Sequence, residues 1–128
     1  MTPSDRRYTK SHEWAKLADG LVTVGITDHA QQQLGDLTFV DLPGVDDRLE
    51  AGAECIVVES VKAASDVYAP VAGEVVAVNE SLVEHPETVN EDPYERGWLI
   101  KIRPDAPDAL DRMLESSDYE ALITDEAG

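Results

Sequence analysis

The chain has 128 residues, enough for one domain to bury a core without disulfides or a structural metal. Its 42% hydrophobic and 29% charged content is that of an ordinary globular protein, and with only 5% aromatics the core must rest on Val, Leu, Ile and Ala. A formal charge of −17, from 27 acidic against 10 basic residues, argues against binding to nucleic-acid backbones or anionic membranes, both of which need clustered Lys and Arg.

In chain order, residues 12–17 and 21–26 predict two β-strands, because β-branched residues alternate on either side of a turn at Ala18, Asp19 and Gly20. "TDHAQQQLG" (27–35) predicts a short helix, capped by Thr27 or Asp28, with Ala30 and Leu34 on one face and Gly35 closing it. A strand follows at 37–42 and ends at Pro43 and Gly44, before an exposed acidic loop around Asp46 and Asp47. Segments 54–60 and 73–79 are the most strongly β-forming, and they share a faint repeat of Ala, Gly, Val, Glu and Ser between 51–60 and 72–81. Read as related units that face each other, they leave Lys62 on their connection, at the end of a hairpin. "GWLIKI" (97–102) is a last strand, Pro104 stops it, and 107–123 has the spacing of one broken or two short helices. Many short strands and few helices predict a mainly β fold, a flattened antiparallel sandwich or barrel with helical additions. The whole chain, 1–128, is expected to be one domain, with 1–6 a flexible lead and 105–128 a mostly helical extension.

Most catalytic chemistry lacks its sequence signature. His12, His29 and His85 are far apart in the chain and Cys55 is the only cysteine, so neither a zinc site nor an internal disulfide is expected. There is no phosphate-cradling glycine loop, dinucleotide fingerprint or nucleophile elbow. The start, "MTPSDRRYTKSHEW", has no apolar signal core, and no apolar run is long enough to cross a bilayer; a cytoplasmic protein is expected.

Lys62 is conspicuous against this background. No other lysine occurs between Lys16 and Lys101, and its neighbours Val61, Ala63 and Ala64 are small or apolar. A turn lysine is ordinarily a solvated surface group. Here the surroundings leave one amine sterically clear and distinguishable from every other, which is what a modifying enzyme requires.

"VESVKAASDVYAPVAGEV" resembles the attachment hairpin of the biotinyl/lipoyl-carrier fold, and more specifically that of the glycine cleavage system H-protein family. "YTKSHEW", "VGITDHAQQQLGD", "FVDLP", "VNEDPY" and "GWLIKI" are similar to stretches of the same family in the same order, so the resemblance covers nearly the whole chain. It implies a non-catalytic, monomeric carrier of glycine catabolism and one-carbon metabolism, with lipoic acid in amide linkage on Lys62. The implied partners are the pyridoxal-phosphate-dependent glycine decarboxylase, a tetrahydrofolate-dependent aminomethyltransferase, dihydrolipoyl dehydrogenase and a lipoylating enzyme. On the same resemblance Glu59, Ser60, Val61, Ala63 and Asp66 form the recognition surface around the lysine, and Glu13 lies where a stowed cationic cargo would be held. Gln33 stands where some relatives carry histidine and Glu95 where glycine is common, so an imidazole contact to the cargo from position 33 is not implied. The acidity fits either electrostatic steering toward basic partner rims or plain solubility.

Neighbouring readings differ at single residues. Lipoyl domains of 2-oxoacid dehydrogenases usually carry an acidic residue before the lysine and continue into Pro/Ala-rich linkers, whereas Val61 occupies that place here. Biotin carriers have methionine on both sides of the lysine, against Val61 and Ala63 here. A lipoate-relay or regulatory protein would present the same hairpin.

Overall fold

The computed structural model describes residues 2–127. Strands β1 (Arg7–Tyr8), β2 (Glu13–Ala18) and β3 (Leu21–Ile26) form an antiparallel meander, with the β2–β3 reversal at Asp19 and Gly20. Helix α1 (Asp28–Leu34) follows as the sequence predicts. The Thr27 side chain accepts a hydrogen bond from the Ala30 amide, and the Gly35 amide donates to the Gln31 carbonyl. Next come β4 (Leu37–Asp41), the short β5 (Arg48–Leu49), β6 (Glu54–Ser60) and β7 (Ala64–Tyr68). β8 (Gly73–Val78) leads to the one-turn helices α2 (Ser81–Glu84) and α3 (Glu87–Glu91), then to β9 (Ile100–Pro104) and the C-terminal helix α4 (Ser116–Ala127).

Two antiparallel sheets result, one ordered β1-β2-β3-β9-β8-β5 and the other β4-β6-β7. Each sheet keeps free edges, so the fold is a flattened sandwich and not a closed barrel. Alternation decides which faces meet. Val22 and Val24 of β3, Ile56 and Val58 of β6, Val75 of β8 and Ile102 of β9 are buried in one core, while the residues between them point outward. Each such side chain contributes roughly 1.5–3 kcal/mol when removed from water. A second cluster on the other side of the large sheet joins Tyr8, Trp14 and Tyr119, flanked by Tyr94, Trp98 and Leu122.

Three differences from the sequence reading bear on function. First, 54–60 and 73–79 belong to different sheets: β6 lies between β4 and β7, and its hairpin partner is β7, a strand the sequence reading did not contain. Lys62 still lies at the end of a hairpin, but of a shorter one. Second, among the described residues of the C-terminal region only 116–127 are α-helical. Leu114 is held extended by a two-way backbone bridge with Tyr8, at 2.8 and 2.9 Å, which ends any helix continuing from 107. Third, the stretch expected as a flexible lead contains Arg6, which is 6% exposed. Its guanidinium lies 4.7 Å from the Trp14 ring and donates to the Tyr94 carbonyl.

Candidate functional site: the lysine hairpin and the cavity at its foot

Between Glu59 and Ala64, the last paired residues of β6 and β7, the chain must reverse direction. Ser60 organises the reversal. Its amide donates to the Ala63 carbonyl at 2.8 Å, and its hydroxyl oxygen accepts from the amides of Lys62 and Ala63 at 3.1 and 3.2 Å. Val61 and Lys62 therefore occupy the apex, where Val61 is 71% exposed and Lys62 is also exposed. The tip is also moored to the rest of the protein, because the Val61 amide donates to the Asp36 carbonyl at 3.1 Å.

Asp36 and Gly35 belong to the turn that leaves α1. Gly35 has φ +82°, a conformation side-chain-bearing residues avoid, and a Cβ built there would lie 3.4 Å from Cε of Lys62. The lysine stem thus runs across the end of α1. Asn90 of α3 fixes this turn from below: its amide nitrogen donates to the Gly35 carbonyl and to Gln31 Oε1, and its Oδ1 accepts from the Leu37 amide. Sequence reasoning missed Gly35 and Asn90 as parts of the site, since neither is near Lys62 in the chain.

A cavity of about 140 Å³ lies at the foot of the hairpin, lined by Ser11 and His12 of the turn before β2 and Glu13 at its start, by Ala30, Gln33 and Leu34 of α1, and by Val58, Ser65, Asp66 and Val67 of the hairpin. Glu13 is 2% exposed. Its Oε1 accepts from the hydroxyls of Thr9 and Ser11 at 2.6 and 2.5 Å, and its Oε2 accepts from the Tyr68 amide at 3.3 Å. Burial pushes the Glu13 carboxyl above its ordinary range, against the opposing pull of these donors. The arrangement is a carboxylate kept out of water with its lone pairs largely occupied, beside space for a small group. Wider hollows of about 230, 290 and 360 Å³ occur elsewhere, but among the described residues none of the three is lined by a buried carboxylate.

The structure gathers some of the sequence-predicted residues and not others. Glu13 and Asp66 share the cavity wall, Ser60, Val61 and Ala63 form the tip, and Glu59 is exposed beside it. Gln33 lines the cavity in place of an imidazole, and His12, from the turn just before β2, lines it as well. The fold also sets His12 and His29, far apart in the chain, with ring centroids 4.8 Å apart. Among the described residues no group of three or more His, Cys, Asp or Glu is arranged to hold a metal. Glu95 sits on an exposed turn, 3.6 Å from Arg6.

A rigid β-sandwich that projects one amine from a hydrogen-bonded tip, above a small cavity with a buried carboxylate, has the layout of the prosthetic-arm carrier class. Comparison with known proteins narrows this. The glycine cleavage H-protein family model matches residues 6–126. A glycine cleavage system H protein of Chromohalobacter salexigens is 55% identical over 125 residues, covering 97% of this chain and 95% of the relative. That of Alkalilimnicola ehrlichii is 53% identical over 127 residues, 98% of each. The crystal structure of a glycine cleavage system H protein from Mycobacterium marinum superposes with a TM-score of 0.89 at 43% identity, over 96% of this chain and 99% of that one. The chain belongs to the glycine cleavage H-protein family.

Proposed function

We propose that this chain is the lipoyl carrier of the glycine cleavage system and that Lys62 bears the lipoyl group in amide linkage. The carrier role is that of the family. The observation that supports Lys62 is the exposed apex built by Ser60 and moored through Val61, which offers one amine on strands of fixed geometry. The surroundings fit the group: the lysine stem crosses Gly35, and the cavity, at about 140 Å³, is close to the ~150 Å³ that admits a benzene ring.

When bound, the lipoyl group supplies a dithiolane that is opened reductively as it takes up the aminomethyl group of glycine. The protein's own residues do the rest. Amide formation removes the charge of Lys62, and the tip holds the attachment point while leaving the stem free to swing. Tethering turns encounters among separate enzymes into local delivery. Glu59 and Asp66 flank the tip as recognition carboxylates, together with Ser60, Val61 and Ala63. Glu13 accepts the cationic amine of the cargo inside the cavity, where burial of the carboxylate strengthens a charge-assisted hydrogen bond. The partners in this reading are glycine decarboxylase, the tetrahydrofolate-dependent aminomethyltransferase, dihydrolipoyl dehydrogenase and a lipoylating enzyme, with the chain itself non-catalytic.

Intact-mass measurement tests the assignment. Protein from lipoate-replete cells is expected to carry one lipoyl increment, absent in Lys62→Arg, and only the modified protein is expected to support glycine cleavage with the three enzymes. A biotinyl increment, an increment retained in Lys62→Arg, or equal turnover by that variant would overturn it.

A further inference from the structure

The second aromatic cluster contains a tyrosine whose hydroxyl meets a residue of the cavity wall and the cap of the helix that supplies part of that wall. Tyr119, on α4, is fully buried, and its ring stacks on Tyr8 at 4.9 Å with 13° between the planes. Its hydroxyl lies 2.7 Å from Oγ1 of Thr27 and 2.8 Å from Nδ1 of His12. Both partners matter to the cavity. Thr27 caps α1, which supplies Ala30, Gln33 and Leu34 to the wall and ends at Gly35 beneath the lysine stem. His12 is itself a wall residue, immediately precedes Glu13, and holds the left-handed backbone conformation at φ +75°. The two are already joined by the Thr27 amide, which donates to the His12 carbonyl at 3.0 Å.

We infer that Tyr119 is a positioning residue: the C-terminal helix uses its hydroxyl to clamp the cap of α1 to the His12–Glu13 segment, and so fixes the spacing of the two walls between which the cargo is stowed. The inference deepens the stowing role proposed for Glu13. A non-glycine residue at φ +75° persists only where its surroundings hold it. The Tyr119 hydroxyl is one of those restraints, and it is delivered by an element distant in sequence that contributes no residue to the wall itself. The stack on Tyr8 places the ring, and the hydroxyl does the clamping.

The test is Tyr119→Phe, which keeps the ring and removes the oxygen, with Tyr8→Phe as its control. Tyr8 shares the stack, but its hydroxyl donates to the Pro3 carbonyl, away from the cavity. In the unmodified protein, Tyr119→Phe is expected to speed amide hydrogen exchange about tenfold at Thr27, Ala30 and Gln31, the worth of one buried hydrogen bond, and to leave Val22 and Val24 unchanged. In the lipoylated, cargo-loaded protein it is expected to speed loss of the cargo to water as formaldehyde and ammonium by about the same factor. Tyr8→Phe should do neither. Unchanged exchange at Thr27 and Ala30, exchange raised equally throughout the sheet, or cargo loss at the wild-type rate from a protein that does protect its cargo would each overturn the clamp. If wild type protects the cargo no better than a free lipoamide adduct, the stowing role fails, and the exchange pattern of the unmodified protein still decides the clamp.

Discussion

Replacing Glu13 by glutamine keeps the side chain's shape and removes its charge. The buried site can absorb the change, because the Thr9 and Ser11 hydroxyls that now donate to Oε1 can rotate to accept from the new amide nitrogen, leaving its oxygen for the Tyr68 amide. What is lost is the charge-assisted contact proposed for a cationic cargo. Such a bond is worth about 1.5–3 kcal/mol, so the Glu13→Gln protein should be lipoylated normally yet release the aminomethyl group about 10- to 100-fold faster. Single-turnover loading by the decarboxylase, removal of that enzyme, and timed assay of formaldehyde or ammonium measures the rate. Stability supplies an independent check with a definite sign. Burial raises the Glu13 carboxyl above its ordinary value of 4.5, so the fold favours the protonated form. Below that value both folded and unfolded chains are protonated and burial of the group carries no charge penalty. As pH rises through the raised folded-state pKa, the cost of keeping the carboxylate out of water emerges. Relative to wild type, Glu13→Gln should therefore gain stability between acid and neutral pH in denaturant titrations. A release rate within about twofold of wild type, a difference of about 0.4 kcal/mol, would refute the stowing argument. A wild-type advantage that grows with pH would refute the electrostatic one.

Gly25→Ala probes the packing beneath β2, since an added Cβ would lie 2.5 Å from the Trp14 ring, which is buried and donates to the Pro93 carbonyl. Overpacking of this kind costs about 1–3 kcal/mol, and calorimetry should show Tm lowered by roughly 3–12 °C; an unchanged Tm would mean that the ring does not pack there. Cys55 should stay out of the dithiol chemistry, because burial, with a smaller push from Glu13, raises its thiol to about 12. Native protein is expected to alkylate at pH 8 more than about 100-fold slower than free cysteine, with the difference abolished by unfolding, whereas equal rates would show an ordinary exposed thiol.

Where local pattern and tertiary packing agree, the residues were legible directly. The alternation in "LVTVGI" and "ECIVVES" and the Thr27 to Gly35 frame of α1 encode elements that form nearly where expected. Strand β7 was missed because "ASDVY" has one strongly apolar inward residue, Val67, and is extended by its pairing with β6 more than by its own propensity. The one-turn helices α2 and α3 are likewise set by tertiary contacts, through buried Leu82 and Val89. The helical spacing of 107–123 was a true periodicity overridden at Leu114 by the bridge to Tyr8.

The isolated lysine at a hairpin end, the β-rich class, the frame of α1 and the family likeness could be read from the chain alone, because they reside in contiguous residues and short spacings; that Thr27 and not Asp28 caps α1 could not. What surrounds that lysine emerges only on folding. Glu13 is a buried carboxylate because Tyr68, far along the chain, donates to it, and Gly35 lies under the lysine because Asn90 and the Val61 amide hold the turn there. Tyr119 reaches His12 and Thr27 because the chain end folds back across β1. Burial and hydrogen bonding between distant segments exist only once the sheets have closed on each other, and no local pattern encodes them.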